Sequence, residues 1–139
     1  MTPDQIALVK ESFAKVVPIK EVAAAAFYDR LFILDPALKP LFKGDLKSQG
    51  QKLMQALATV VTALDRLETV LPVVQDLARR HVAYGVQDSH YATVGGALLD
   101  TLDTAFGKDF TPEIRAAWAT AYGTLSDAMI DAAKSARAA

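Results

Sequence analysis

The chain of 139 residues contains no cysteine and only two histidines, His81 and His90. Without cysteine there is no disulfide, no thiolate metal ligand and no thiol nucleophile. Two imidazoles alone do not complete the four-ligand set of a structural zinc site. Charge of one sign is also lacking. The 15 basic and 16 acidic residues leave a net charge of −1, which gives no electrostatic footprint for nucleic acid or for an anionic membrane. Long apolar runs are missing: "VAAAAF" at 22–27 falls far short of the ~18–20 residues that span a bilayer. The opening "MTPDQIALVK" has neither the basic start nor the apolar stretch of a signal peptide. A cytoplasmic location, with neither nucleic acid nor membrane as partner, is the expectation.

Period-two alternation is absent as well, so strands are not expected. What is present is a helical apolar rhythm through a chain that is 52% hydrophobic. Its length predicts one domain, 1–139, on the usual scale of about 100–200 residues per domain. Thr2, Pro3 and Gln5 form a helix start, with a hydroxyl cap and a capping box. Ile6, Val9, Phe13, Val16 and Val17 then share a face, until Pro18 interrupts. A second helix runs to about Leu34, with Val22, Ala23, Ala26, Phe27, Leu31 and Leu34 expected inward. "DPALKPLF" (35–42) predicts a short turn, and "KGDLKSQG" (43–50) a loop. Helical spacing resumes near Ser48. Pro72 opens a helix that ends before Gly85, Ser89 is a candidate cap for the next, and Thr111-Pro112 opens a long last helix. The tail "AAKSARAA" is expected to fray. The fold class is all-α, with six to eight helices, too short and too often broken by proline for an up-down four-helix bundle.

Val74, Leu77, Ala78 and His81 are spaced i, i+3, i+4, i+7, which puts His81 on an apolar helix face. Two readings follow. One is a neutral core imidazole bonded to a backbone carbonyl. The other is a metal ligand. Haem makes the second workable, because it brings four nitrogen ligands and asks the protein for a single axial histidine. His90, just inside a helix start, reads as structural.

Six segments, in this order, carry a resemblance: "FYDRLF", "DPALKPLF", "SQGQKLMQAL", "LPVVQDLARRHVAYGV", "SHYATVGGALL" and "AAWATAYGTL". Together they resemble the bacterial single-domain haemoglobins, which are related to the globin domain of flavohaemoglobins. The resemblance implies a globin fold around haem b (iron protoporphyrin IX). It implies that His81 is the proximal iron ligand and that Phe42 packs on the haem. Tyr28, Gln49 and Leu53 would lie on the distal side, where the gas binds. Tyr91 would stand behind His81, and Val86 and Leu98 would touch the porphyrin. Lys52, Arg79 and Arg80 are candidates for the haem propionates, though solvated charges on helix backs read equally well. Singly, Tyr28, Phe42 and Leu53 would also suit the core of any helical protein. The second nitrogen of His81 is expected to bond a carbonyl near Leu77 or Ala78. Relatives place a glutamate of the last helix behind that histidine. The matching position here is Ala133, and Asp131 is expected to face elsewhere.

The function so implied is binding of O2, CO and NO at a pentacoordinate ferrous haem. Tyr28 and Gln49 would donate hydrogen bonds to bound O2. The alternative is an enzyme, nitric oxide dioxygenase. No flavin or nicotinamide segment is evident in the sequence, so that activity would need a separate reductase. A haem-free interaction domain and a gas sensor are the other classes. A monomer or weak homodimer is expected.

Overall fold

A computed structural model describes residues 1–42 and 44–138. Helix α1 (Pro3–Val16) begins with the expected capping box: the Thr2 hydroxyl accepts from the Gln5 backbone amide, and the Gln5 side chain accepts from that of Thr2. Pro18 sits in a short 3-10 turn, Val17–Ile19, after which α2 (Lys20–Leu34) starts in a new direction. Asp35 ends α2 and caps a second 3-10 turn, Pro36–Leu41.

Helix α3 (Leu46–Thr62) starts two residues before Ser48, because the Asp45 carboxylate caps it through the Lys47 amide. Lys43, in the expected loop, lies outside the described residues. Helix α4 (Leu71–Ala83) carries Pro72 in its first turn, where no amide donor is needed. Gly85, at φ +92°, supplies the left-handed turn beyond it. Helix α5 (Asp88–Phe106) is capped by Gln87 rather than Ser89. The Gln87 amide donates to His90 Nδ1 at 3.0 Å, so His90 closes the cap. Helix α6 (Pro112–Ala138) extends into the tail expected to fray, of which Ala139 lies outside the described residues. Alanines, the best helix formers, favour that helical extension.

The inward face of α2 differs from the sequence expectation. Val22, at 70% exposed, Leu34, at 42%, and the exposed Ala26 point outward, while Ala23, Ala24, Phe27, Tyr28 and Leu31 are buried. Apolar residues surround this helix, so spacing alone does not select a side. Val17 is exposed because α1 ends one residue before it.

The main core joins α1, α2, α3, α5 and α6 around Val9, Phe27, Leu31, Leu98 and Trp118. A smaller cluster, Val74, Ala78, Tyr91 and Met129, holds α4 against α5 and α6. Among the described residues there is no strand, and no helix is long and apolar enough to cross a membrane.

Candidate functional site

The surroundings of His81 are built by α4 and α5. His81 is half-buried, one turn after Leu77. Its Nδ1 lies 2.6 Å from the Leu77 carbonyl oxygen. A carbonyl only accepts, so Nδ1 carries the proton and Nε2 keeps its lone pair. Burial pushes the imidazole below its ordinary pKa, opposed by the Leu77 bond. The result is a neutral ring in one tautomer. Its Nε2 has no hydrogen bond among the described residues. Tyr91, buried on α5, stacks on it at 6.4 Å between centroids with planes 23° apart. Tyr84, 58% exposed, lies on another side at 6.1 Å. Val86 donates its amide to the His81 carbonyl at 3.0 Å, so the turn after α4 folds back on that residue.

Tyr91 is itself held from α6. The Tyr122 hydroxyl donates to the Tyr91 carbonyl oxygen at 2.6 Å. Gly95 leaves room for this ring, since a Cβ there would lie 2.7 Å from Tyr122 Cε2. Ala133 is 1% exposed, and Asp131 is exposed, so neither places a carboxylate behind the histidine.

The residues expected on the distal side come from α2, the turn after it and α3. Tyr28 is 5% exposed and packs edge-on against Phe42, with centroids 5.3 Å apart. Phe32, one helical turn after Tyr28, touches both rings at 6.1 and 5.5 Å. Sequence reading had missed Phe32, although the i, i+4 spacing in "FYDRLF" carries the signal. Burial raises the Tyr28 hydroxyl to about 12, so it remains a donor at neutral pH. That hydroxyl and the Gln49 side-chain amide have no hydrogen bond among the described residues, while the Gln49 backbone amide donates to the Asp45 carbonyl at 3.1 Å. Gln49 is half-buried near the start of α3, and Leu53, one turn on, packs with Phe42 and Leu98 against the main core. Lys52 and Arg80 are exposed. Arg80 is paired with Asp76 at 2.6 Å, and Arg79 reaches the same carboxylate at 3.5 Å.

No group of three His, Cys, Asp or Glu side chains that could hold a metal occurs among the described residues. A metal held at His81 must therefore bring most of its own ligands. The Globin family profile matches residues 25–129 of the chain. The chain belongs to the globin family. This globin is 37% identical to a flavohaemoprotein of Bordetella parapertussis over 134 residues, and 31% identical to one of Bacillus subtilis over 128. The matches cover 94% and 90% of this chain. It spans about a third of the length of those relatives, 33% and 32%. A bacterial globin from Campylobacter jejuni superposes with a TM-score of 0.88 at 26% identity, covering 99% of this globin and all of that chain. The fold is thus the all-α globin fold, and the protein is a haem-binding globin. Its donor set fits that group: one neutral imidazole with a free Nε2, and aromatic and aliphatic side chains rather than further ligands.

Proposed function

We propose that this globin binds O2, and also CO and NO, at a pentacoordinate ferrous haem b held by His81. The observation that carries the reading is the state of His81. The Leu77 carbonyl uses one ring nitrogen and leaves the other as a lone-pair donor. Haem held at His81 would supply an iron centre able to bind a diatomic gas.

The chain's own residues do the rest. The Leu77 bond fixes the imidazole tautomer and increases its basicity as a ligand. Tyr91 and Tyr84 limit rotation of the ring. Phe42, Val86 and Leu98 offer apolar contact to the porphyrin, and Leu53 keeps water from the distal side. Tyr28 and Gln49 donate hydrogen bonds towards the gas. Each bond to a group bearing charge contributes roughly 1.5–3 kcal/mol. Oxygen attracts more charge than CO and gains more from these donors. Lys52, with no ion pair among the described residues, is a freer partner for a propionate than Arg80. The reading is of a protein that holds O2 tightly and releases it slowly, in keeping with scavenging.

The test is an absorption spectrum of ferric, reduced and CO-treated protein, beside His81→Ala. A Soret band that moves with CO and is lost or shifted in the variant supports the reading. Added imidazole should restore it. No Soret band after haem addition would overturn it.

Similarity to flavohaemoproteins favours a second reading, nitric oxide dioxygenase supplied with electrons by a separate reductase. Rapid mixing of the O2-loaded protein with NO should then give one nitrate per haem. Sustained nitrate formation with a reductase would make it an enzyme. The buried Ala133 and the exposed Asp131 leave His81 without a carboxylate partner, which weighs towards simple gas binding.

A further inference from the structure

Helix α2 has two apolar faces, and the chain covers one of them. Ala23, Ala24, Phe27, Tyr28 and Leu31 are buried in the core. The opposite face carries Val22, Ala25, Ala26, Asp29 and Ile33, all exposed. Their spacing of i, i+3, i+4, i+7, i+11 is the rhythm of a face that packs. Val22, at 70% exposed, and Ile33, at 68%, are the two most exposed large apolar side chains among the described residues. Eleven residues make three turns to within about 20°, so the two point the same way, about 16 Å apart along the helix. A helix apolar on every side is normally buried on every side.

Beside this face lies an open groove of about 660 Å³ between α2 and α3. Val17 and Leu46, exposed themselves, line it, and Ala25 and Asp29 belong to both the groove and the face. The groove is preformed, because α2 and α3 meet at a tight crossing: a Cβ on Gly50 would lie 2.9 Å from Ala24 Cβ. Lys20, Glu21, Asp29 and Lys47 stand around it, all exposed. None of these four is in an ion pair among the described residues, whereas Arg30, next to Asp29, is engaged by Asp100 at 2.8 Å.

We propose that the outer face of α2, with the adjoining groove, is where a second copy of this chain docks to give a two-fold dimer. A rim of one sign would call for a partner of the other sign. Two lysines and two carboxylates, all unpaired, complement themselves instead. A two-fold axis sets the same patch on both sides of the contact, so the carboxylates of each copy face the lysines of the other, twice over. Val22 and Ile33 supply the apolar contact. Ala25 and Ala26 between them let the two helices come close. One helix and one groove per copy make a small interface, at or below the ~1,200 Å² at which stable complexes begin. The dimer is therefore in equilibrium with the monomer.

The test is sedimentation equilibrium of the full chain over a dilution series. The mean mass of the wild type should rise towards twice that of one chain as concentration increases. Val22→Glu with Ile33→Glu should hold it at one chain throughout. Helical circular dichroism should be unchanged, because both side chains are exposed. A wild type that stays monomeric at every concentration would overturn the proposal and leave the face to a different protein. Association that survives both substitutions would put the contact elsewhere and overturn it too. A second experiment reads the charges and does not depend on the first variant folding. A chain with Lys20→Glu and Lys47→Glu, and a chain with Glu21→Lys and Asp29→Lys, should each be monomeric alone and associate when mixed. Mixtures that remain monomeric would overturn the two-fold pairing. Neither readout requires haem, so this proposal and the haem reading fail separately.

Discussion

At the scale of single residues, the orientation of His81 was the most legible part of the candidate site. Its spacing from Val74, Leu77 and Ala78 fixes its face, and helix geometry places a carbonyl one turn before it. The tautomer follows from that carbonyl, at 2.6 Å. The residues proposed for the distal side were singled out only through the resemblance, because Tyr28, Phe42 and Leu53 are ordinary core types one by one. Tyr28 permits a clean experiment. Tyr28→Phe keeps the ring that packs on Phe42 and Phe32 and removes only the hydroxyl. That hydroxyl bonds no described residue, so thermal stability should hardly change. If it donates to the gas, O2 dissociation should accelerate by about tenfold or more, since ~1.4 kcal/mol is a factor of ten. CO dissociation should change much less. Stopped-flow displacement of O2 by CO measures the first, and displacement of CO by NO the second. Equal effects on both gases would mean that the hydroxyl acts by size rather than by its proton.

At the scale of elements, helix starts read well where the cap is a common residue and poorly where it is not. Thr2 with Gln5 was legible. Asp45 was hidden in what looked like loop, and the Gln87–His90 cap uses residues that are uncommon in that role. Helix faces were legible on α1 and α4, where polar residues mark the outside, but not on α2. Two contacts between elements have direct consequences. Ser12 joins α1 to α6, accepting from Trp118 while its own proton goes to the Leu8 carbonyl at 2.7 Å. Ser12→Ala leaves a buried indole N–H without a partner, so it should cost about 1–3 kcal/mol in urea unfolding. Gly50 lets α2 and α3 cross. Gly50→Ala should cost a similar ~1–3 kcal/mol through overpacking, although alanine favours the helix itself. The double variant Ala24→Gly, Gly50→Ala should recover most of that loss. No recovery would mean that α3 shifts instead of meeting Ala24.

At the scale of the whole molecule, the chain showed that it folds into helices but not which ones meet. Contacts of α6 with both α1 and α4 depend on residues about a hundred and about fifty positions apart, as in Trp118–Ser12 and Met129–Val74. Periodicity carries no information on such pairs. Two tyrosines buried by that assembly make its stability depend on alkaline pH. Burial raises Tyr28 to about 12. Tyr122 is raised too, first by burial and then by the neighbouring charge of Tyr91. An unfolded tyrosine releases its proton near pH 10. Both folded values lie above the unfolded one, so the native state holds protons that the unfolded chain has lost. The stabilising effect is complete below about pH 10 and is lost as pH rises through about 12. The midpoint of urea unfolding should therefore stay level up to about pH 10 and then fall steeply. In a Tyr28→Phe, Tyr122→Phe double variant the fall should be shallower, from a lower starting midpoint because Tyr122 gives up its bond to Tyr91. An equally steep fall in the variant would trace alkaline unfolding to other groups and remove these two buried hydroxyls as its cause.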